Sequence, residues 1–551
     1  MMLREPVFSR RAVWLLIIIA ALVWFCNLDY RKLVRPDEGR YAEIPREMVA
    51  SGDWLTPRLN DLKYFEKPAL QYWATAAAYE AFGQAHWTAR LWPALTGFLG
   101  ILFTAFVGMK LWGRQAGIYA GLVLGSSVLW VGIGHINTLD MGVSFFLTVG
   151  VFSLALAQRS QWPQSQRNWM LVAWVSLGLA ILSKGLIGAV LPAAAFFVYS
   201  VLCLDWAAWK RLHILKGVLA LLIVTAPWFI WVSIVNPEFF NFFFIHEHWD
   251  RFLKSEHKRL GVWYYFVPIL LGGILPWMFM MFGSLATAWQ REPVEGFQVR
   301  RYLLVWCVLV FLFFSVSKSK LPSYILPIFP ALALLIGERM TRMSGKALAW
   351  CMVPVALAGA ALAAWSPYVV RLASDEVPVA LYEKYVPWIL GCGLVFFVGS
   401  AMAAWWARSG RETAAVVLLA FTGLIGIQLG ISGHDSLAPA SGAYYIAPKI
   451  QAHLKPGLPF YSIGMYEQTL PFYIKRPVTL VEIRDEMAFG IDQEPQKWVK
   501  DYVEFSKRWM RPDHQGALAI MNPTTLNYFD QHKLPYEIIA RDTRRIVVRR
   551  P

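Results

Sequence analysis

Long apolar runs recur through the first three quarters of this 551-residue chain, and each is about as long as the roughly 20 residues that cross a bilayer. Inside a membrane the backbone must satisfy its own N–H and C=O groups, which favours helices for such runs. Hydrophobic residues make up 57% of the sequence, above the roughly half usual in soluble domains. The chain is therefore read as a polytopic α-helical membrane protein. The five cysteines lie in or beside apolar runs with no CxxC spacing, which argues for buried apolar thiols and against a disulfide frame or a cysteine metal site. The net charge of +16 belongs to basic cytoplasmic loops, not to nucleic-acid binding.

The first run, Ala12 to Cys26, follows Arg4, Arg10 and Arg11 and carries no small-residue cleavage site. It reads as an uncleaved first helix that starts in the cytoplasm. Twelve further spans are expected at about 88–109, 116–134, 138–157, 168–184, 186–204, 214–235, 262–285, 302–316, 322–338, 347–366, 385–407 and 413–431. Thirteen spans put the C-terminus outside. The loops assigned to the inside carry Lys110 and Arg114, Arg159 and Arg167, Arg300 and Arg301, Arg408 and Arg411, as the positive-inside rule requires.

Between the first two spans lies a loop of about residues 29–87, dense in Asp37, Glu38, Arg40, Glu43, Asp53, Glu66 and Lys67. Acids mixed with cations beside a membrane can position a phosphorylated substrate; a solvated connecting loop is the plain alternative. Within it, Gly39 to Ser51 and Gln71 to Phe82 have amphipathic patterns that suit helices lying along the membrane surface. On the outer side, Lys184, Arg251, Lys318 and Lys320 join Lys67 against the charge bias. An anionic lipid headgroup is one reason for cations to stand there, and snorkelling is the other. Asp140 sits at the mouth of the fourth span, where a bare charge is costly, so it needs a structural partner or a function. His246, Glu247 and His248 have weak metal-ligand spacing and, with Glu66, could hold a divalent ion such as zinc.

After about Ile431 no run is long enough to span. Apolar pieces at Pro459–Ile463, Val478–Ile483, Ala517–Met521 and Ile546–Val548 alternate with helical ones at Tyr444–His453 and Pro495–Trp509. A small α/β domain with a largely parallel sheet is expected, dividing the chain at 1–431 and 432–551.

Several segments carry a family resemblance. Arg35-Pro36-Asp37-Glu38-Gly39-Arg40-Tyr41-Ala42-Glu43-Ile44, Ser51-Gly52-Asp53-Trp54, Tyr64-Phe65-Glu66-Lys67-Pro68, Glu247-His248-Trp249-Asp250-Arg251-Phe252 and Ser317-Lys318-Ser319-Lys320-Leu321-Pro322-Ser323-Tyr324 closely resemble bacterial aminoarabinose transferases. These are lipid A modifying GT-C glycosyltransferases, related to protein O-mannosyltransferases. The resemblance implies a GT-C membrane domain with a periplasmic C-terminal domain in the inner membrane. It also implies transfer of 4-amino-4-deoxy-L-arabinose from undecaprenyl phosphate to a lipid A phosphate, giving polymyxin resistance. In that reading Asp37 and Asp140 are catalytic, and Lys67, Arg251, Lys318, Lys320 and Tyr324 hold the donor phosphate. Glu38 and Arg40 position substrate, and Glu66 and His248 are the candidate metal ligands. Gly39 stands where some relatives carry Thr or another residue, with no expected effect on the chemistry. Another polyprenyl-phosphate-sugar transferase, such as a protein O-mannosyltransferase, is the near alternative. A transporter is the distant one, but matched halves are missing and the charges gather at one membrane face.

Overall fold

The structure, a computed structural model, describes residues 8–245 in full, the backbone of 246–250, and residues 261–551. Each of the thirteen expected runs lies in a helix or a bent helix pair. In chain order the N-terminal helices are α1 (Arg10–Phe25), α2 (Asp37–Ser51), α3 (Leu70–Phe82), α4 (His86–Trp112), α5 (Arg114–Leu124) and α6 (Val128–Gly134). They continue as α7 (Leu139–Arg159), α8 (Pro163–Lys184), α9 (Ile187–Cys203) and α10 (Ile214–Val235). Beyond them come α11 (Phe266–Gly273), α12 (Met278–Ala288), α13 (Val299–Val316), a 3-10 turn at Pro322–Ile328, α14 (Phe329–Met340), α15 (Gly345–Trp365), α16 (Val379–Arg408) and α17 (Glu412–Gly433).

Length and composition alone identify fewer spans than the thirteen expected. Among the described residues eight helices are long and apolar enough to cross a membrane, or ten if the bent pairs α5–α6 and α11–α12 each count as one span. The shortfall has physical causes. Helix α1 has 16 residues and α9 has 17, and the first turns of α8 are diluted by Gln164, Gln166, Arg167 and Asn168.

Both helices expected in the first loop form, within two residues of their expected ends. Gly52 stops α2 in a left-handed conformation at φ 73°, which glycine adopts without a Cβ penalty. Helix α2 does not lie open on a membrane surface, however. Every residue from Glu38 to Met48 is buried, because the C-terminal domain covers it. Tyr41, Ile44, Met48 and Tyr72 share one apolar core with Ile446, Phe460, Leu480 and Val547.

The first loop carries a short antiparallel pair, β1 (Arg58–Leu59) with β2 (Leu62–Lys63), and the C-terminal domain holds a six-stranded sheet in the order β5-β4-β3-β6-β8-β7. Its strands are β3 (Phe460–Ile463), β4 (Thr479–Val481), β5 (Trp498–Val499), β6 (Leu518–Met521), β7 (Glu537–Arg541) and β8 (Ile546–Arg549). Strands β5, β4, β3 and β6 run parallel, and β8 and β7 add an antiparallel edge. The expected helix Pro495–Trp509 is broken: β5 occupies its start, and Asp501 caps a shorter helix, Tyr502–Trp509.

The domain is bolted to the first loop. The Asn60 side chain donates to the Val478 carbonyl and accepts the Val478 N–H, both at 2.7 Å. Arg58 pairs with Glu494 at 3.0 Å, and Lys497 pairs with Asp61 at 2.9 Å. At Gly39 the two backbones nearly touch: a Cβ there would stand 2.6 Å from the backbone of Gln468 and Thr469. Gly39 thus sets how closely the domain approaches α2.

Candidate active site

The first turn of α2 divides its acids. The Asp37 carboxylate remains about one-third exposed and accepts from Arg40 Nη1 at 3.0 Å. Arg40 is buried and also pairs with Glu486 of the C-terminal domain. Burial opposes the Arg40 charge, but Tyr64, Glu486, Tyr41 and Asp37 outweigh it and hold its pKa above the ordinary value. Arg40 thus links the candidate catalytic acid to the cap, and it positions Asp37 by charge and geometry.

Glu38 points the other way. It is wholly buried and accepts a two-pronged pair from Arg90, Nε to Oε1 at 2.7 Å and Nη2 to Oε2 at 2.8 Å. Arg31 approaches the same carboxylate at 3.3 Å, and the backbone N–H groups of Val34 and Asn137 donate to it at 3.0 and 3.1 Å. Burial alone would raise its pKa, but Arg31 and Arg90 overcome that and hold it at about 2. With its oxygens taken up, Glu38 has no lone pair left to address a substrate. Through these contacts it ties the loop to α4 and to the turn before α7.

Asp140 lies in the first turn of α7 and is buried. One oxygen pairs with Lys184 at the end of α8, and the other accepts from Ser323 Oγ at 2.8 Å. The Lys184 ammonium in turn stands 4.6 Å from the centre of the Tyr324 ring. Asp140, Lys184, Ser323 and Tyr324 therefore form one cluster drawn from three elements. Tyr41 joins the clusters: its ring stacks on Tyr72 at 6.2 Å. Burial pushes its hydroxyl pKa up, and the charges of Asp37, Glu66 and Asp140 add to that effect against Arg40. The charges of three carboxylates, Asp37, Glu66 and Asp140, thus reach a single tyrosine.

The cations are arranged less simply. Lys67 Nζ donates to the Glu66 carbonyl at 2.7 Å. Lys320 is buried, donates to the Ser315 carbonyl at 2.6 Å at the end of α13 and lies 5.8 Å from the Phe266 ring centre. Burial lowers its pKa. Lys318 follows α13 in the segment before the 3-10 turn. Arg251 and the side chain of His248 lie outside the described residues. Phe65 packs edge-on against Phe239 at 5.1 Å, which brings the start of their segment beside Glu66. Among the described residues no three His, Cys, Asp or Glu gather as a metal site, so Glu66 is the one described member of that expected pair.

Lys184 carried a signal in the sequence, as a cation on the outer side. Arg90 carried one too, as a charge in the first turns of an apolar run. Glu486 carried none: it meets Arg40 only through the docking of the cap.

A helical membrane core, an acid-rich first loop and an α/β cap pressed onto that loop define the GT-C glycosyltransferase architecture. Residues 9–289 match the family model described as dolichyl-phosphate-mannose-protein mannosyltransferase, and residues 446–550 match the aminoarabinose transferase C-terminal domain. The chain is 30% identical over 530 residues to the undecaprenyl phosphate-alpha-4-amino-4-deoxy-L-arabinose arabinosyl transferase 2 of Sodalis glossinidius, covering 92% of each. To the corresponding Erwinia tasmaniensis transferase it is 34% identical over 333 residues, 59% of this chain, so it spans about three fifths (58%) of that relative's length. The crystal structure of ArnT from Cupriavidus metallidurans bound to undecaprenyl phosphate superposes with a TM-score of 0.93 at 38% identity, covering 98% of both chains. This chain belongs to the undecaprenyl phosphate-aminoarabinose arabinosyl transferase family.

Proposed function

We propose that this protein transfers 4-amino-4-deoxy-L-arabinose from undecaprenyl phosphate to a lipid A phosphate at the periplasmic face of the bacterial inner membrane. The observation that carries the reading is the end-to-end likeness to a structure solved with undecaprenyl phosphate. In this reading residues 1–431 form the transferase domain, 432–551 the periplasmic cap, and thirteen helices cross the membrane.

The acceptor phosphate is already an anion at neutral pH, so the reaction does not need a strong base to create its nucleophile. Asp37, about one-third exposed and held by Arg40, orients the acceptor or the aminosugar and stabilises positive charge on the oxocarbenium-like transition state. Glu66 and Asp140 provide anionic partners for the ammonium on the donor sugar. Negative charge grows on the departing undecaprenyl phosphate and calls for cations. Lys67, Lys318, Lys320 and Arg251 fill that role with Tyr324, and Lys184 joins them. Lys184 holds Asp140 on one side and faces Tyr324 on the other, so it couples sugar recognition to phosphate stabilisation. A divalent metal such as zinc would be held by Glu66 and His248 and would add charge to the same phosphate site.

Purified protein supplied with defined undecaprenyl-phosphate sugars and lipid A tests the proposal. Mass spectrometry should find a pentosamine on lipid A phosphate and none on protein. Glycosylated protein with unmodified lipid A would move the assignment to a protein glycosyltransferase.

A further inference from the structure

At the opposite end of the membrane core from the acid cluster, a cleft of about 490 Å³ opens between the start of α1 and the turn joining α16 to α17. Phe8, Trp406, Val417, Leu418 and Phe421 supply its walls. Its polar member, Thr413, shares a hydrogen bond with the Tyr119 hydroxyl at 3.2 Å, so the interior offers apolar surface. The rim is different. Arg10 and Arg11 follow Phe8 by two and three residues, Arg408 follows Trp406 by two, and Arg411 precedes Thr413 by two; all four are exposed. Among the described residues none of these guanidiniums has an ion-pair or hydrogen-bond partner. The carboxylate on these turns, Glu412, lies against Gly345 at the start of α15.

Single arginines at span ends are ordinary on a basic loop face and can snorkel to water. Here four of them stand within three residues of the wall residues of an apolar cleft, which gives an acyl chain a seat and its phosphate a set of forked donors. Helix α1 is held at this end by Phe8, which is buried and packs edge-on against Tyr119 at 6.5 Å. Trp24 is the buried residue along its length, and its far end is tied by Asn27 to Gln428 at 2.8 Å and Ser432 at 2.9 Å. We propose that the cleft binds an anionic phospholipid, which fastens the start of α1 to α16 and α17.

The test uses full-length protein stripped of lipid and titrated with phosphatidylglycerol or phosphatidylcholine of identical chains. Native mass spectrometry reads occupancy, and thermal unfolding reads the fastening. Phosphatidylglycerol should bind about tenfold tighter or better and raise the unfolding temperature more, since each arginine near the headgroup is worth about a fivefold preference. Arg408→Gln/Arg411→Gln should erase most of that preference, and Val417→Trp, which fills the cleft, should abolish retention of either lipid. Equal binding of the two headgroups by the unmodified protein overturns the proposal, as does a preference that survives the double arginine change. The headgroup comparison needs no variant, so it decides the matter even if Val417→Trp fails to fold.

Discussion

Glu38→Gln separates scaffold from chemistry at the first turn of α2. The substitution keeps the shape of the side chain but removes the charge that faces Arg90 and Arg31, which are 1% and 4% exposed. Its new amide N–H₂ also meets donors from Arg90, Arg31, Val34 or Asn137. Removing one partner of a buried ion pair commonly costs about 3–5 kcal/mol. The carboxyl's displacement from 4.5 to about 2 corresponds to about 3 kcal/mol, so the two estimates agree in size. The sign with pH follows from a depressed carboxyl. The stabilisation is complete above 4.5 and is lost as pH falls toward about 2. Thermal unfolding of purified protein should show Glu38→Gln well below wild type at neutral pH, with the gap closing as pH drops through that window. Wild-type unfolding at neutral pH, or a gap that persists at the acid end, would falsify the scaffold assignment.

Asp37→Asn should give the reverse phenotype: unfolding close to wild type, with lipid A modification reduced on the order of a hundredfold or more by mass spectrometry. Near-normal modification would shift the chemistry to Glu66 or Asp140. Asp140→Asn and Lys184→Met each remove half of one ion pair, so their effects on transfer rate should be non-additive in a double-mutant cycle, with a coupling of about 0.5–3 kcal/mol; strict additivity would mean the pair does not act as a unit. Gly39→Ala places a Cβ 2.6 Å from the Gln468 and Thr469 backbone and should cost about 1–3 kcal/mol as overpacking, read as a lowered unfolding temperature; an unchanged value would show that the cap can back away freely.

Where the chain folds by local pattern, the sequence was readable. Helix α3 shows it, with Gly83 stopping it on time, and so do strands β3, β4, β6 and β8, which are continuous apolar pieces. Strand β5 is two residues long and sits inside a stretch whose composition suits a helix, so the parallel neighbour β4 decides its state, not its own residues. Strand β7 has mostly open side chains and lacks the apolar run that betrays a buried strand. The burial of α2 was hidden for a similar reason. Its charges suggested an exposed face, yet they are answered internally by pairs such as Arg46 with Glu43 at 2.6 Å.

Asp37 and Glu38 show why a site made of charges is legible as a region before it is legible as residues. In the sequence they are adjacent carboxylates with the same claim to chemistry. Once α2 forms, neighbours point about 100° apart around its axis. One then pairs with Arg40 and stays partly exposed, while the other faces Arg90 and Arg31. Which is which depends on where α4 stands and on how the cap presents Glu486 to Arg40, contacts made far along the chain. The acid that keeps an open oxygen is the one solvent can reach, and the acid with every lone pair engaged holds the frame around it.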